Sequence, residues 1–188
     1  MIDIPCVIIA GGKSSRMGRD KALLPFGNSP TLSEFQYKRL KKYFKKTYIS
    51  CKSSDKFNFE ADFIEDLPYE DSAPFIALIS IFEKLEDEYI FVLSVDTPFF
   101  GISEFKKLHD SLKDEDAIVA KTNSGYQPLC AIYKRTSLKI LKELSSEKKY
   151  RFAGLYDRIK VKYIKYDNED SFDNLNFYAD YEKALQRS

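Results

Sequence analysis

Residues 89–95 read Tyr-Ile-Phe-Val-Leu-Ser-Val, apolar at every place but Ser94. A strand with one face in water alternates apolar and polar residues. A run without alternation needs cover on both faces. That requirement points to a sheet sandwiched between helices. Residues 5–10 form a second such run, rich in β-branched side chains, and it ends at Gly11 and Gly12.

The rest of the chain fits the same pattern. Residues 47–51, 63–65, 117–120 and 129–133 are strand candidates, and 161–166 alternates with period two, as a half-exposed strand does. Helical patterns lie between them. Thr31 to Glu34 has the capping-box order, and Phe35, Leu40, Tyr43 and Phe44 fall on one side of the helix that follows. Residues 74–85 carry a broad apolar face. Ser103 precedes Phe105, Leu108 and Leu112 at helical spacing and reads as an N-cap. Ile140, Leu141 and Leu144 mark another helix, and a short one closes the chain around 179–185. No repeat, low-complexity tract or linker interrupts the alternation. The expectation is one three-layer α/β/α domain over residues 1–188 with a mainly parallel, Rossmann-like sheet. Ligands in such sheets sit at the carboxyl ends of the strands.

Composition narrows the function. The 188 residues hold 30 Lys and Arg against 29 Asp and Glu, a net charge of +1. A general nucleic-acid binder is usually strongly basic, so none is expected as a partner. No stretch approaches the ~20 apolar residues of a membrane helix, and the N-terminus has no basic, signal-like start. Three widely spaced cysteines, Cys6, Cys51 and Cys130, make no zinc pattern and suggest free thiols in a reducing cytoplasm.

Two strand ends carry chemistry. The loop after Ala10 reads Gly-Gly-Lys-Ser-Ser-Arg-Met-Gly-Arg-Asp-Lys. Its glycine spacing is not that of a dinucleotide fold, and the first glycine of a P-loop would fall at Val7, inside the strand. Lys13, Arg16, Arg19 and Lys21 against Asp20 give residues 11–21 a net charge of +3. Glycines admit close backbone approach to an anion, so the loop suits a polyphosphate, although a plain solvated turn has the same ingredients.

The full string at residues 10–21, running on into Ala22, Leu23, Leu24, Pro25 and Phe26, resembles the signature of the molybdenum cofactor guanylyltransferase family. The resemblance implies a nucleotidyltransferase sheet and a Mg²⁺-dependent transfer of GMP from GTP to molybdenum-molybdopterin, with pyrophosphate leaving. It implies backbone contacts to the nucleotide from Ile9, Ala10, Gly11 and Gly12, and charge from Arg16 and Lys21. Lys13 and Arg19 fall at variable positions of the pattern. The double glycine resembles the guanylyl branch more than its CTP-using relatives. A cytidylyltransferase and a non-catalytic pterin-delivery module remain the alternatives. Transient contact with other cofactor-biosynthesis proteins also follows from the resemblance.

The second strand end is Val95-Asp96-Thr97-Pro98. Mg²⁺ favours few carboxylates plus phosphate oxygens and water, which suits Asp96, while an isolated Asp-Thr-Pro is also a common turn. The family pattern is Cys-Asp-x-Pro with a metal-binding aspartate. It implies that Asp96 is the metal ligand, with valine in the cysteine place. Further resemblances imply nucleotide contacts from Asp66, after the third strand, and from Ser50, where the family often has asparagine. Alanines at 73 and 77 replace family glycines. Gln127 to Leu129 resembles a strand entry near the acceptor. Asn174 and Asn176 resemble the family's Asn-x-Asn segment, with Phe177 and Tyr178 in place of Thr-Pro. They would orient a phosphate or water near the metal, or else form Asx turns that cap the last helix.

Overall fold

The structure, a computed structural model, describes residues 1–11, 18–68 and 74–187. Seven strands form one sheet in the order β3-β2-β1-β4-β6-β5-β7. They are β1 (Cys6–Ile9), β2 (Thr47–Cys51), β3 (Asp62–Glu65), β4 (Tyr89–Ser94), β5 (Ala117–Thr122), β6 (Gly125–Lys134) and β7 (Val161–Lys165). All pairings are parallel except those of β6, which runs antiparallel to both β4 and β5.

Alternate residues of each central strand enter different cores. Cys6, Ile8, Phe91 and Leu93 pack with α1 (Leu32–Lys41), α3 (Ile102–His109) and α6 (Tyr178–Leu185). Val7, Ile9, Ile90 and Val92 pack with α2 (Pro74–Lys84), α4 (Ser137–Ser146) and α5 (Phe152–Tyr156). This is the three-layer arrangement that the apolar run at 89–95 required. Phe91 is fully buried among Phe44, Phe100 and Phe105 at ring-centroid distances of 4.9–5.8 Å. Truncation of so large a buried ring costs about 3–5 kcal/mol.

Several boundaries differ from the sequence expectation. Thr31 does cap α1, its Oγ1 accepting the Glu34 N–H at 3.1 Å, but Glu34 turns to Lys38 at 2.7 Å instead of closing the box. The buried side of α1 carries Ser33, Gln36, Tyr37 and Leu40, whereas Tyr43 is exposed. Ser103 lies inside the first turn of α3. The cap is Gly101, whose N–H donates to Glu104 Oε2 at 3.0 Å. Strand β6 extends well before residue 129 through Pro128. Its register with β5 shifts between Val119 and Ala120, and its pairing with β4 begins only at Cys130. A proline is tolerated at such an irregularity. Helix α5 has no sequence signal. It is five residues long, contains Gly154, and is held by buried Leu155.

The register aligns the strand ends. Ile9 sits opposite Ser50 on one side and Ser94 on the other, and Ser50 opposite Ile64. Ala10, Asp66 and Val95 each donate one further backbone bond across the sheet, at 2.8, 2.8 and 3.1 Å. The loops after β1, β3 and β4 therefore leave one edge together. Between β1 and β4 the strand order reverses, which is where α/β sheets open a crevice.

Candidate active site

Asp96 occupies that crevice, just past β4. Its Oδ1 accepts the Ser94 hydroxyl at 2.6 Å and its Oδ2 accepts the Lys21 ammonium at 3.1 Å. The turn that carries it is fixed from α1. The Gln36 amide, fully buried, donates to the carbonyls of Val95 at 3.3 Å and Thr97 at 3.1 Å, on either side of Asp96. Arg39 in turn donates to Gln36 Oε1 and to the Phe100 carbonyl. A buried amide with every partner filled is rigid, because any displacement leaves polar atoms unpaired.

Lys21 starts a 3₁₀ turn, Lys21–Leu23, that Asp20 caps by accepting the Ala22 N–H at 3.0 Å. From there the ammonium reaches Asp96 and also Asn176 Oδ1, at 3.1 Å each. Thus residues 21, 96 and 176, read as three separate sequence candidates, meet in one place. Asn174 accepts the Thr97 hydroxyl at 2.8 Å, and the Leu175 N–H donates to the Asp96 carbonyl at 3.0 Å. The asparagine side chains do not cap α6. Asp180 does, accepting the N–H groups of Phe177 at 2.8 Å and Asn176 at 3.2 Å. The Asx-turn expectation is therefore replaced by side-chain contacts to Thr97 and Lys21.

On the β2–β3 side, Ser50 is fully buried and its hydroxyl donates to Asp66 Oδ1 at 3.3 Å. Asp66 faces Gly11, where an added Cβ would stand 3.6 Å from its Oδ2. Burial holds the Asp66 carboxyl above the usual carboxylate range. Gly12, Arg16 and Ala73 lie outside the described residues. Ala77 is buried in α2, and Phe177 and Tyr178 are exposed. Two further residues, Gln36 and Lys56, join the site without any sequence signal. Lys56 Nζ lies 2.6 Å from Asp20 Oδ2 and 3.4 Å from the Ala10 carbonyl oxygen.

Two cavities meet at Asp96. One, about 110 Å³, is bounded by Ile9, Ala10, Gly11, Asp20, Lys21 and Asp96. The other, about 210 Å³, is bounded by Asp96, Thr97, residues 127–130, Asn174 and Asn176. A further hollow, about 310 Å³, lies by Phe99, Asp173 and Arg187 and borders neither Asp96 nor Lys21. Among the described residues no cluster of three His, Cys, Asp or Glu side chains could enclose a metal. The site instead offers oxygens from Asp96 and Asn176 that already converge on one cation, the Lys21 ammonium. A single carboxylate with hard oxygen neighbours fits Mg²⁺, which fills its shell from phosphate and water, and does not fit zinc.

The MobA-like NTP transferase domain matches residues 6–159. A molybdenum cofactor guanylyltransferase from Campylobacter jejuni subsp. doylei is 40% identical over 183 residues, covering 96% of this chain and 95% of that protein. The chain belongs to the molybdenum cofactor guanylyltransferase family. Another member, from Helicobacter pylori strain G27, is 33% identical over 98% of this chain and 92% of its own length. The fold agrees. The molybdopterin-guanine dinucleotide biosynthesis protein A of Archaeoglobus fulgidus superimposes with a TM-score of 0.84 over 98% of both chains at 19% identity.

Proposed function

We propose that the protein transfers GMP from GTP to molybdenum-molybdopterin and releases pyrophosphate, acting through all of residues 1–188 as one nucleotidyltransferase domain. The observation that carries this reading is the pair of cavities sharing Asp96. A transfer needs donor and acceptor on two sides of one phosphorus, with cationic charge at the junction.

In this reading GTP lies in the cavity of Ile9, Ala10 and Gly11, with its phosphates toward Lys21, and Gly12 and Arg16 contribute from the same loop. Asp66 meets the nucleoside, and Ser50 acts through Asp66, because its hydroxyl is buried and committed there. The acceptor enters along residues 127–129 beside Asn174 and Asn176. A phosphate oxygen of molybdopterin attacks the α-phosphorus of GTP. The bond to the β-phosphate oxygen breaks, and pyrophosphate departs with that electron pair. Lys21 offsets the charge that gathers on the phosphate oxygens. Mg²⁺, held by Asp96 with Asn176 beside it, supplies further neutralisation when bound.

The transfer needs no protein nucleophile, because the acceptor's own phosphate oxygen attacks. Cys130 borders the acceptor cavity but is buried, and burial pushes its thiol up, so it stays protonated. Burial likewise pushes Cys51 up to about 12. Three free, buried thiols support a reducing cytoplasm as the setting, and no described helix is long and apolar enough to cross a membrane. The reading is tested by thermal stabilisation and pyrophosphate release with each nucleoside triphosphate, Mg²⁺ and molybdopterin. Stabilisation and release with GTP alone support it. A preference for CTP, or stabilisation without release, contradicts it.

A further inference from the structure

Lys56 belongs to the β2–β3 connection, a stretch without a motif. It is nevertheless firmly presented. Its neighbour Phe57 is buried and stacks on Phe63 at 5.2 Å, Phe59 lies edge-on to Phe57 at 5.8 Å, and the Phe57 N–H donates to the Ser54 carbonyl at 3.0 Å. The Lys56 ammonium sits 5.0 Å over the Phe57 ring and reaches the crevice.

There it touches the chain at two places. It donates to Asp20 Oδ2 at 2.6 Å and to the Ala10 carbonyl at 3.4 Å. Ala10 is the last residue of the first strand's run, and Asp20 is the cap of the turn that carries Lys21. One ammonium thus spans the two points where the chain enters and leaves the glycine-rich segment. The other oxygen of Asp20 holds the Ala22 N–H at 3.0 Å, so Lys56 acts on the same carboxylate that orients the Lys21 turn.

We propose that Lys56 is a positioning residue for nucleotide binding: it staples Ala10 to Asp20 and thereby fixes the direction from which Lys21 enters the site. The inference rests on the nucleotidyltransferase reading. Lys56 acts before chemistry, on the shape of the empty nucleotide site. Lys21 keeps its own bonds to Asp96 and Asn176. Loss of Lys56 therefore weakens GTP binding more than it slows the transfer step.

The test compares wild type with Lys56→Met, Lys56→Arg, Asp20→Asn and the Lys56→Met/Asp20→Asn double variant. Asparagine at 20 keeps an oxygen for the Ala22 cap and removes the charge, so it isolates the ion pair. The readouts are KM and kcat for GTP, and hydrogen exchange of the Ala22 and Leu23 amides without nucleotide. Lys56→Met is expected to raise KM for GTP roughly tenfold while kcat changes less than about threefold, with faster exchange at Ala22 and Leu23. Arginine should restore most of the loss, and the double variant should be no worse than either single one. Wild-type KM and exchange in Lys56→Met would overturn the staple. So would additive losses with unchanged exchange, which would make Lys56 a direct nucleotide ligand. A wild-type protein that ignores GTP would overturn the enzymatic reading instead, while the exchange measurement would still decide the staple.

Discussion

Lys21 Nζ and Asp96 Oδ2 lie 3.1 Å apart although 75 residues separate them in the chain. Their side chains retain only 15% and 19% of their exposure, so water screens the pair weakly. The contact joins the loop after β1 to the turn after β4 across the point where the strand order reverses. It places a positive and a negative group together at the point where the proposed reading puts the triphosphate.

Asp96→Asn keeps the size of the side chain and its ability to accept from Ser94, and removes the charge. Turnover is expected to fall by about 10²–10³ while GTP still stabilises the protein, more weakly. Steady-state kinetics beside a thermal-shift titration separate the two effects. Near-normal turnover would remove Asp96 from the mechanism.

Asn176→Ala removes the oxygen that faces Lys21 from the cavity lined by residues 127–130. A hydrogen bond to a charged group contributes about 1.5–3 kcal/mol, so kcat/KM is expected to drop by roughly 10- to 100-fold. Because the backbone N–H of residue 176 still meets Asp180, helix α6 should keep its start. Circular dichroism checks that the fold is unchanged.

How far the sequence carried differs between parts of the site. Asp96, Lys21 and the strands beneath them announce themselves locally, as a carboxylate ending an apolar run and a basic loop behind glycines. Gln36 and Lys56 do not. A buried glutamine on a helix and a lysine in a loop look like surface residues until tertiary folding brings partners 36 to 61 residues away. Ser94 looked like a mere polar break in β4, yet its hydroxyl is the one that Asp96 accepts. The misplaced cap of α3 has a similar cause, since serine and glycine both suit the position and only the Glu104 contact to Gly101 decides it.

Gln36→Met tests whether α1 positions the Asp96 turn. The substitution conserves volume and leaves the Val95 and Thr97 carbonyls without their donor. The expected loss of stability is about 2–3 kcal/mol. It should appear in urea unfolding as a lower midpoint at constant slope, accompanied by reduced turnover. Unchanged stability would mean that water replaces the amide without cost.

Asp66 yields a prediction in pH. Burial raises its folded-state pKa above the ordinary value, so the folded chain holds this proton more tightly than the unfolded chain. The resulting stabilisation is complete below the ordinary carboxylate range and disappears as pH rises through the raised value. At neutral pH the ionised, partly buried carboxylate is a cost. Asp66→Asn should therefore melt higher than wild type at pH 7–8, with the difference shrinking toward pH 4, while its affinity for GTP falls. Melting curves across that range, with and without GTP, check both statements. No gain at pH 8 would contradict the assignment of burial as the dominant cause.

The reaction moves the α-phosphorus of GTP, and an isotope follows that atom. The protein is mixed with Mg²⁺, molybdopterin carrying molybdenum, and GTP labelled at the α-phosphate, and the products are separated. Label is expected in a guanine dinucleotide of the pterin, with unlabelled pyrophosphate in equal amount and no product when CTP replaces GTP. Label that stays in GTP, or that appears in a pterin product only from CTP, would contradict it.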